Sequence, residues 1–161
     1  HDLLVPPSRH RGLAVQMAAR LRSAHPQPTH DASEGLAEAI GHLPGRPALV
    51  FLASDFHWPL QRLPALLDQL GDRHVVPIVV WDPAETTPPA GDGLAALTDA
   101  ETGHRRTFWL RPWLRQRWRE AVAERRETLW QLFTRRGLRP FEMGQRFEPQ
   151  ALSRHFLEGG A

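Results

Sequence analysis

The sequence predicts a single α/β domain: a doubly wound, mostly parallel open sheet with helices on both faces and an inserted β-hairpin. Two observations lead to this fold class. Two continuous apolar runs, 48–53 and 75–81, are each followed by a carboxylate, Asp55 and Asp82. Helical patterns alternate with these runs, as they do in parallel sheets. The length of 161 residues suits one domain, which we place at 1–161.

Helices are predicted before the first apolar run. After a short extended segment at 3–5, Ser8 is placed to cap a helix that ends near Ser23, where His-Pro-Gln-Pro interrupts the helical pattern. Asp31 and Glu34 resemble the capping box of a second helix. A Pro-Gly pair then ends that helix.

The two apolar runs are predicted to be parallel strands separated by one helix. The run 48–53 is apolar on both alternating faces, which predicts a strand covered on both sides. The helix 60–70 follows and ends at a glycine. In the second run, 75–81, Pro77 cannot donate to a ladder, so we place it near the beginning of the strand or at a bulge.

The second half of the chain combines a hairpin with the longest helix. Two short segments joined by a polar turn predict the β-hairpin. The long helix begins at a proline and is stopped by a glycine. In chain order the predicted ranges are loop 83–93, hairpin strands 94–97 and 105–110, helix 112–136, strand 138–143 and helix 149–157.

Composition excludes several classes of protein. The chain has no cysteine, which excludes disulfides, thiolate nucleophiles and cysteine zinc sites. It has no apolar run of about 20 residues that could cross a bilayer and no signal-peptide pattern, so we expect a soluble, cytoplasmic protein. Because the sequence opens on His1 without an initiator methionine, we expect it to be a piece of something longer.

Three short motifs in order carry a family resemblance. Residues 51–56 (Phe-Leu-Ala-Ser-Asp-Phe) end one strand, residues 79–85 (Val-Val-Trp-Asp-Pro-Ala-Glu) end the next, and residues 97–103 (Leu-Thr-Asp-Ala-Glu-Thr-Gly) form the hairpin turn. The chain resembles the C-terminal portion of a bacterial von Willebrand factor A-like domain. It is most similar to the uncharacterised group often encoded beside MoxR-type AAA ATPases.

The resemblance implies a remnant of a magnesium site. In such domains three loops hold Mg²⁺. By position Asp55 matches the Asp of the third loop, and Thr29 is the best match for the Thr of the second. The Asp-x-Ser-x-Ser motif of the first loop is absent from this chain. Since Mg²⁺ requires octahedral oxygen coordination, we expect no tightly held metal here, although a full-length protein could bind one.

The resemblance also implies an exposed sheet edge. If a central strand precedes His1, the strand 48–53 loses a neighbour and presents unpaired backbone groups to other chains. We therefore predict self-association through this edge.

Two pairs of polar residues near the strand ends can each be interpreted in two ways. Asp55 and His57 could form an acid/base pair, but we favour an Asp that caps the following helix beside an exposed His. Asp82 and Glu85 are more typical of an Asp-Pro turn followed by a solvated acid. No zinc-binding histidine pattern, nucleophile elbow or phosphate-binding glycine loop occurs, so an enzyme is the weaker class.

The helix 112–136 is rich in arginine. Together with Arg111 it carries eight arginines and three glutamates, with Trp113 and Trp130 between them, a pattern that suits an RNA backbone or an acidic partner. The alternative is an amphipathic helix that packs through Trp118 and a stripe of apolar residues, with Arg–Glu pairs on its solvent face. We favour the alternative because arginine stems also cover apolar surface.

These observations favour a non-enzymatic protein-interaction domain. We predict that it binds a protein partner at a face formed by Ser54, Asp55, His57 and Asp82, and the resemblance implies assembly or maturation work with a MoxR-type ATPase. One alternative is a metal-dependent hydrolase or phosphotransfer domain, which requires Asp55 and Asp82 to converge. A second alternative is nucleic-acid binding through the helix 112–136.

Overall fold

Six helices and five strands form the described part of the protein. The structure, a computed structural model, describes residues 5, 10–24, 32–45, 47–98, 104–144 and 146–158. The helices are α1 (Leu13–Ser23), α2 (Ala32–Gly41), α3 (Leu63–Leu70, preceded by a 3₁₀ turn Leu60–Arg62), α4 (Pro83–Thr86), α5 (Pro112–Thr134) and α6 (Pro149–Glu158). The strands are β1 (Leu49–Ser54), β2 (His74–Val80), β3 (Gly93–Thr98), β4 (Arg105–Leu110) and β5 (Phe141–Met143).

The central sheet contains three parallel strands in the order β1-β2-β5. Leu49 of β1 pairs with His74 of β2, and the register continues without a bulge to Ser54 opposite Val79. The two apolar runs therefore lie side by side and point the same way, as predicted, so both end at one edge of the sheet. β1 has no neighbour on its other side among the described residues.

Pro77 lies in the middle of β2, and the prediction that it begins the strand or forms a bulge is wrong. The N–H of His74 donates to Ala48 before β1, whereas the N–H of Trp81 donates to Met143 of β5. Because successive residues of a strand face alternate neighbours, the nitrogen of Pro77 faces the β5 side. β5 pairs only from Ile78 onward, so the proline removes no ladder bond.

The core lies on one face of this sheet. Leu52, Val75 and Val79 project from β1 and β2 into a buried cluster with the apolar stripes of three helices. The main helical members of the cluster are Ile40 of α2, Leu63, Leu66, Leu67 and Leu70 of α3, and Leu129 and Phe133 of α5. The 3.6-residue spacing of these apolar positions explains why each helix buries one face.

The opposite face is covered more thinly. The ring of Phe156 in α6 meets Phe51 of β1 edge to face, with centroids 6.2 Å apart, and His155 contacts Phe141 of β5. Leu49 and Phe51 stay 52% and 50% exposed. The prediction that this strand is covered on both sides is therefore wrong: α6, a helix of ten residues, contacts Phe51 but leaves half of it exposed.

Several element boundaries differ from the predictions. α1 begins at Leu13 after Gly12, later than the predicted cap, and buries none of its residues; Val5 is not in a strand. Ser8, Asp31 and the segment 3–4 lie outside the described residues. The predicted loop 83–93 contains the short helix α4, and β5 begins only after Pro140.

The predicted hairpin is present as a sheet of its own. β3 and β4 pair antiparallel from Gly93 opposite Leu110 to Thr98 opposite Arg105. Its turn, 99–103, lies outside the described residues. Among the residues that the structure describes, no helix is both long enough and apolar enough to span a bilayer.

Candidate functional site

The candidate site is the loop that leaves the end of β1. Phe56 adopts a left-handed backbone conformation with φ of 54°, which is uncommon outside glycine. Its side chain is fully buried and meets Phe133 of α5 edge to face at 5.4 Å. The Ser54 hydroxyl accepts hydrogen bonds from the N–H of Phe56 at 3.0 Å and from the Trp58 indole at 3.3 Å. Burial and these two bonds together hold the turn.

Two carboxylates, one from this loop and one from α4, lie near the same nitrogen of the His57 imidazole. Oδ1 of Asp55 accepts from the N–H of His57 at 3.1 Å. Nδ1 of His57 lies 3.6 Å from Oδ2 of Asp55 and 3.8 Å from Oε2 of Glu85. All three side chains are about half exposed. This cluster is therefore accessible to a partner molecule.

Trp81 supports the cluster from the end of β2. Its indole N–H donates to the carbonyl of Asp55 at 2.7 Å, which ties the two strand ends together. The ring of His57 stacks against the Trp81 ring, with centroids 6.5 Å apart and planes 19° apart. Trp81 also packs on Trp130 of α5 at 6.2 Å. The imidazole thus rests on a buried aromatic side chain.

Asp82 positions Glu85 through α4. Oδ1 of Asp82 accepts from the N–H of Ala84 at 2.8 Å and so caps this short helix. The indole of Trp118 donates to the carbonyl of Glu85 at 2.8 Å from the α5 side. In the described residues, no hydrogen bond or ion pair joins the Asp82 side chain to Asp55 or His57.

Arg125 of α5 anchors the loop from behind. Its Nη2 donates to the carbonyl of Trp58 at 2.8 Å and to the carbonyl of Phe56. Desolvation lowers the pKa of Arg125, and the nearby negative charge of Asp55 opposes that shift. Its buried Nε has no hydrogen-bond partner among the described residues. The guanidinium therefore links α5 to the loop that carries Asp55 and His57.

The prediction of an Asp that caps the following helix is wrong. That helix begins with a 3₁₀ turn after Pro59, which receives no side-chain cap, whereas Asp55 bonds within its own loop. From the sequence, Glu85 is interpreted as a solvated acid, and Arg125 is not identified as part of the site. The Asp-Pro-x-Glu sequence predicts the turn that places Glu85, but no local pattern indicates an arginine 69 residues from Phe56.

The described residues do not by themselves form a magnesium site. They contain no group of three or more His, Asp or Glu side chains able to hold an ion. The Ser54 hydroxyl already accepts two hydrogen bonds, and Asp82 caps α4. Thr29, the second predicted ligand, lies outside the described residues.

Half of the arginines at 111–136 serve the fold in ways that the sequence did not predict. Four of the eight bond to other parts of the chain: Arg115 to Asp92, Arg125 to the loop after β1, Arg126 to Glu142, and Arg136 to Asp68. No Arg–Glu pair forms within α5 among the described residues; the helical-spacing pairs are Gln116–Glu120 and Gln131–Glu127. Trp118 is half-buried, as the amphipathic interpretation requires.

Comparison with known proteins gives a family. The family model described as "Protein of unknown function DUF58" matches residues 1–128. The chain belongs to the DUF58 family. It is 36% identical over 101 residues to a Paracoccus denitrificans protein named "Uncharacterized protein in moxR 3'region", an alignment that covers 63% of this chain and 96% of that relative. No solved structure matches this DUF58 protein significantly. Membership of an uncharacterised group is thus confirmed, while the likeness to von Willebrand factor A domains stays a prediction.

Proposed function

We propose that this DUF58 protein is a non-enzymatic interaction domain that docks a MoxR-type AAA ATPase during assembly or maturation of a protein complex. The docking rim, as we define it, comprises Ser54, Asp55, His57, Asp82 and Glu85. The observation that carries the proposal is the pair of half-exposed carboxylates, Asp55 and Glu85, whose oxygens lie 3.6 Å and 3.8 Å from the same Nδ1 atom of His57. The name of the Paracoccus denitrificans relative, which refers to the region 3' of moxR, supports the choice of partner.

The sheet topology supports a von Willebrand factor A-like architecture as part of the proposal. β1 and β2 run parallel, and Asp55 follows β1 at the edge of the sheet where ligands of open α/β folds bind. The partner is an ATP-dependent machine, so we place the function in the cytoplasm, where ATP is supplied.

The rim is suited to recognition because it is pre-arranged. Arg125, Trp81 and Trp118 each donate a hydrogen bond to a backbone carbonyl of the loops that carry the acids. A partner therefore has little backbone to order on binding, which lowers the entropic cost of association. Complementary charge on the partner would set the orientation and the association rate.

The alternative of a metal-dependent hydrolase or phosphotransfer domain requires Asp55 and Asp82 on one ion. Each of these carboxylates instead accepts a hydrogen bond from the backbone of its own turn. We therefore propose that this chain alone does not hold Mg²⁺ tightly. Calorimetric titration with Mg²⁺ tests this point, and micromolar binding would contradict it.

The experiment for docking measures binding between the purified chain and the MoxR-type ATPase of the same organism by fluorescence anisotropy. In a double variant, Asp55→Asn and Glu85→Gln, we expect binding weakened by about tenfold or more, because two contacts at the centre of the rim lose their charge. Asn at position 55 keeps an oxygen that can accept from His57, so the turn is retained.

Asp72→Asn is the matched control. Asp72 is an exposed acid in the turn before β2, at the opposite end of that strand from the rim. This variant should bind as the unmodified chain does. Equal affinity of the double variant and the control, or no binding of the ATPase to any form, would overturn the proposal.

A further inference from the structure

A cavity lies at the amino end of the sheet, at the opposite end of β2 from the docking rim. It measures about 420 Å³ and lies between the start of β2, the segment before β5 and the end of α6. Its basic lining residues are Arg73, His74, Arg136, Arg139 and His155, and none of its lining residues is acidic. Leu138 and Phe156 supply an apolar part of the wall. We name this space the arginine cavity.

The three arginines differ in how their charge is balanced. Arg136 bonds to Asp68 at 2.8 Å, and Arg139 lies 3.5 Å from Glu158. Among the described residues, no carboxylate lies within ion-pair distance of Arg73. The lining therefore carries an excess of positive charge, which attracts an anion into a space with apolar walls.

The backbone fixes these groups in place before any ligand arrives. Arg73 donates to the carbonyls of Leu70 at 2.9 Å and Pro44 at 2.7 Å, and its buried Nε has no partner within the described residues. Nε2 of His155 lies 3.1 Å from the carbonyl of Arg139 and donates to it, which orients the ring. The bonds from Arg73 to Leu70 and Pro44 use two of its five guanidinium hydrogens. A guanidinium held in place with hydrogens left over can bind an oxyanion without first losing side-chain freedom.

A proline of β2 lies where the ladder beside the cavity ends. The β2–β5 ladder starts at Ile78 opposite Phe141. The next pair toward the start of both strands would be Pro77 and Pro140. The nitrogen of Pro77 faces β5 and has no hydrogen with which to extend the ladder, whereas the nitrogen of Pro140, next to Phe141, faces away from β2. The chain before β5 therefore leaves the sheet, and the gap between residues 73–76 and 137–139 becomes the cavity.

We propose that the arginine cavity binds a small oxyanion, a phosphate or a carboxylate, attached to an apolar group of about ring size. The positively charged lining recognises the oxyanion, and Leu138 and Phe156 contact the apolar group. The volume falls within the usual range of small-molecule sites, about 300–1,000 Å³. Such a site is independent of the docking rim.

The test is isothermal titration calorimetry at low ionic strength with four probes: phenyl phosphate, benzoate, inorganic phosphate and benzyl alcohol. We expect phenyl phosphate or benzoate to bind with Kd at or below about 1 mM, and at least tenfold more tightly than benzyl alcohol, which lacks the charge. The preferred one of the two identifies the oxyanion. Amide shifts in an NMR titration should cluster at residues 73–76 and 137–139.

Two variants sharpen the result. Arg139→Gln removes one exposed guanidinium of the lining and should weaken binding of the charged probe about tenfold. Glu158→Gln frees Arg139 from its carboxylate and should strengthen binding. Arg119→Gln, an exposed arginine of α5 outside the cavity lining, is the control and should leave the affinity unchanged.

Three results would each overturn the proposal. The first is no saturable binding of any charged probe by about 10 mM. The second is equal affinity for benzyl alcohol and the charged probes. The third is an equal effect of Arg139→Gln and Arg119→Gln, which would show that the anion binds to general surface charge.

Discussion

The two faces of the parallel sheet are built from equally apolar residues but are covered to different extents. On one face Leu52, Val75 and Val79 are buried beneath α2, α3 and α5. On the other face Leu49 and Phe51 remain about half exposed beside α6. Apolar composition thus shows that a strand side can be buried, while the packing of helices against it decides whether it is buried.

The largest effect is expected on the packed face. Phe133→Ala removes a fully buried ring that contacts Phe56 under the loop of the docking rim. The lost burial and the cavity left behind should lower the free energy of unfolding by about 3–5 kcal/mol. Urea denaturation followed by circular dichroism measures this. A loss near 1 kcal/mol would show that the two faces contribute alike.

A smaller loss of stability is expected at Arg125, where the packed face of the sheet meets the docking rim. Arg125→Met leaves the carbonyls of Phe56 and Trp58 without their donor, which should cost about 1–3 kcal/mol. Arg125→Lys keeps the charge and one donor and should recover part of the loss. The same urea experiment compares the two variants, and unchanged stability in Arg125→Met would contradict the anchoring role.

On the thinly covered face we expect a modest effect. Phe156→Ala removes a 40% exposed ring and its edge-to-face contact with Phe51, so the free energy of unfolding should fall by about 1 kcal/mol. A double-mutant cycle with Phe51→Ala isolates the coupling between the two rings. A loss as large as that of Phe133→Ala would remove the distinction between the faces.

The smallest stability effect is expected at the open edge of β1. Leu49→Lys changes a half-exposed side chain and should alter the free energy of unfolding by no more than about 0.5 kcal/mol. It should nevertheless suppress the predicted self-association, because a charged edge resists pairing with another chain. Light scattering over a concentration series measures this. A chain that is monomeric at every concentration before substitution would contradict the self-association hypothesis.

The sequence predicted those elements of the fold that depend on residues close together in the chain. The apolar runs of β1 and β2 and the stripe of α5 are local patterns, and each element lies close to its predicted range. The left-handed turn at Phe56 depends in addition on the contact of its buried ring with Phe133 of α5, 77 residues away in the chain. The role of Arg125 depends on the same distant packing, so no periodicity or spacing within the loop could indicate it.

Pro77, beside the end of the β2–β5 ladder, has a consequence for how the sheet assembles. Strand pairing that slips by two residues keeps the same side chains on the same face, so the apolar pattern alone would not prevent it. A β5 displaced toward the start of β2 would set one of its carbonyls against the donorless nitrogen of Pro77. The missing hydrogen of Pro77 therefore disfavours pairing of β5 that is slipped by two residues.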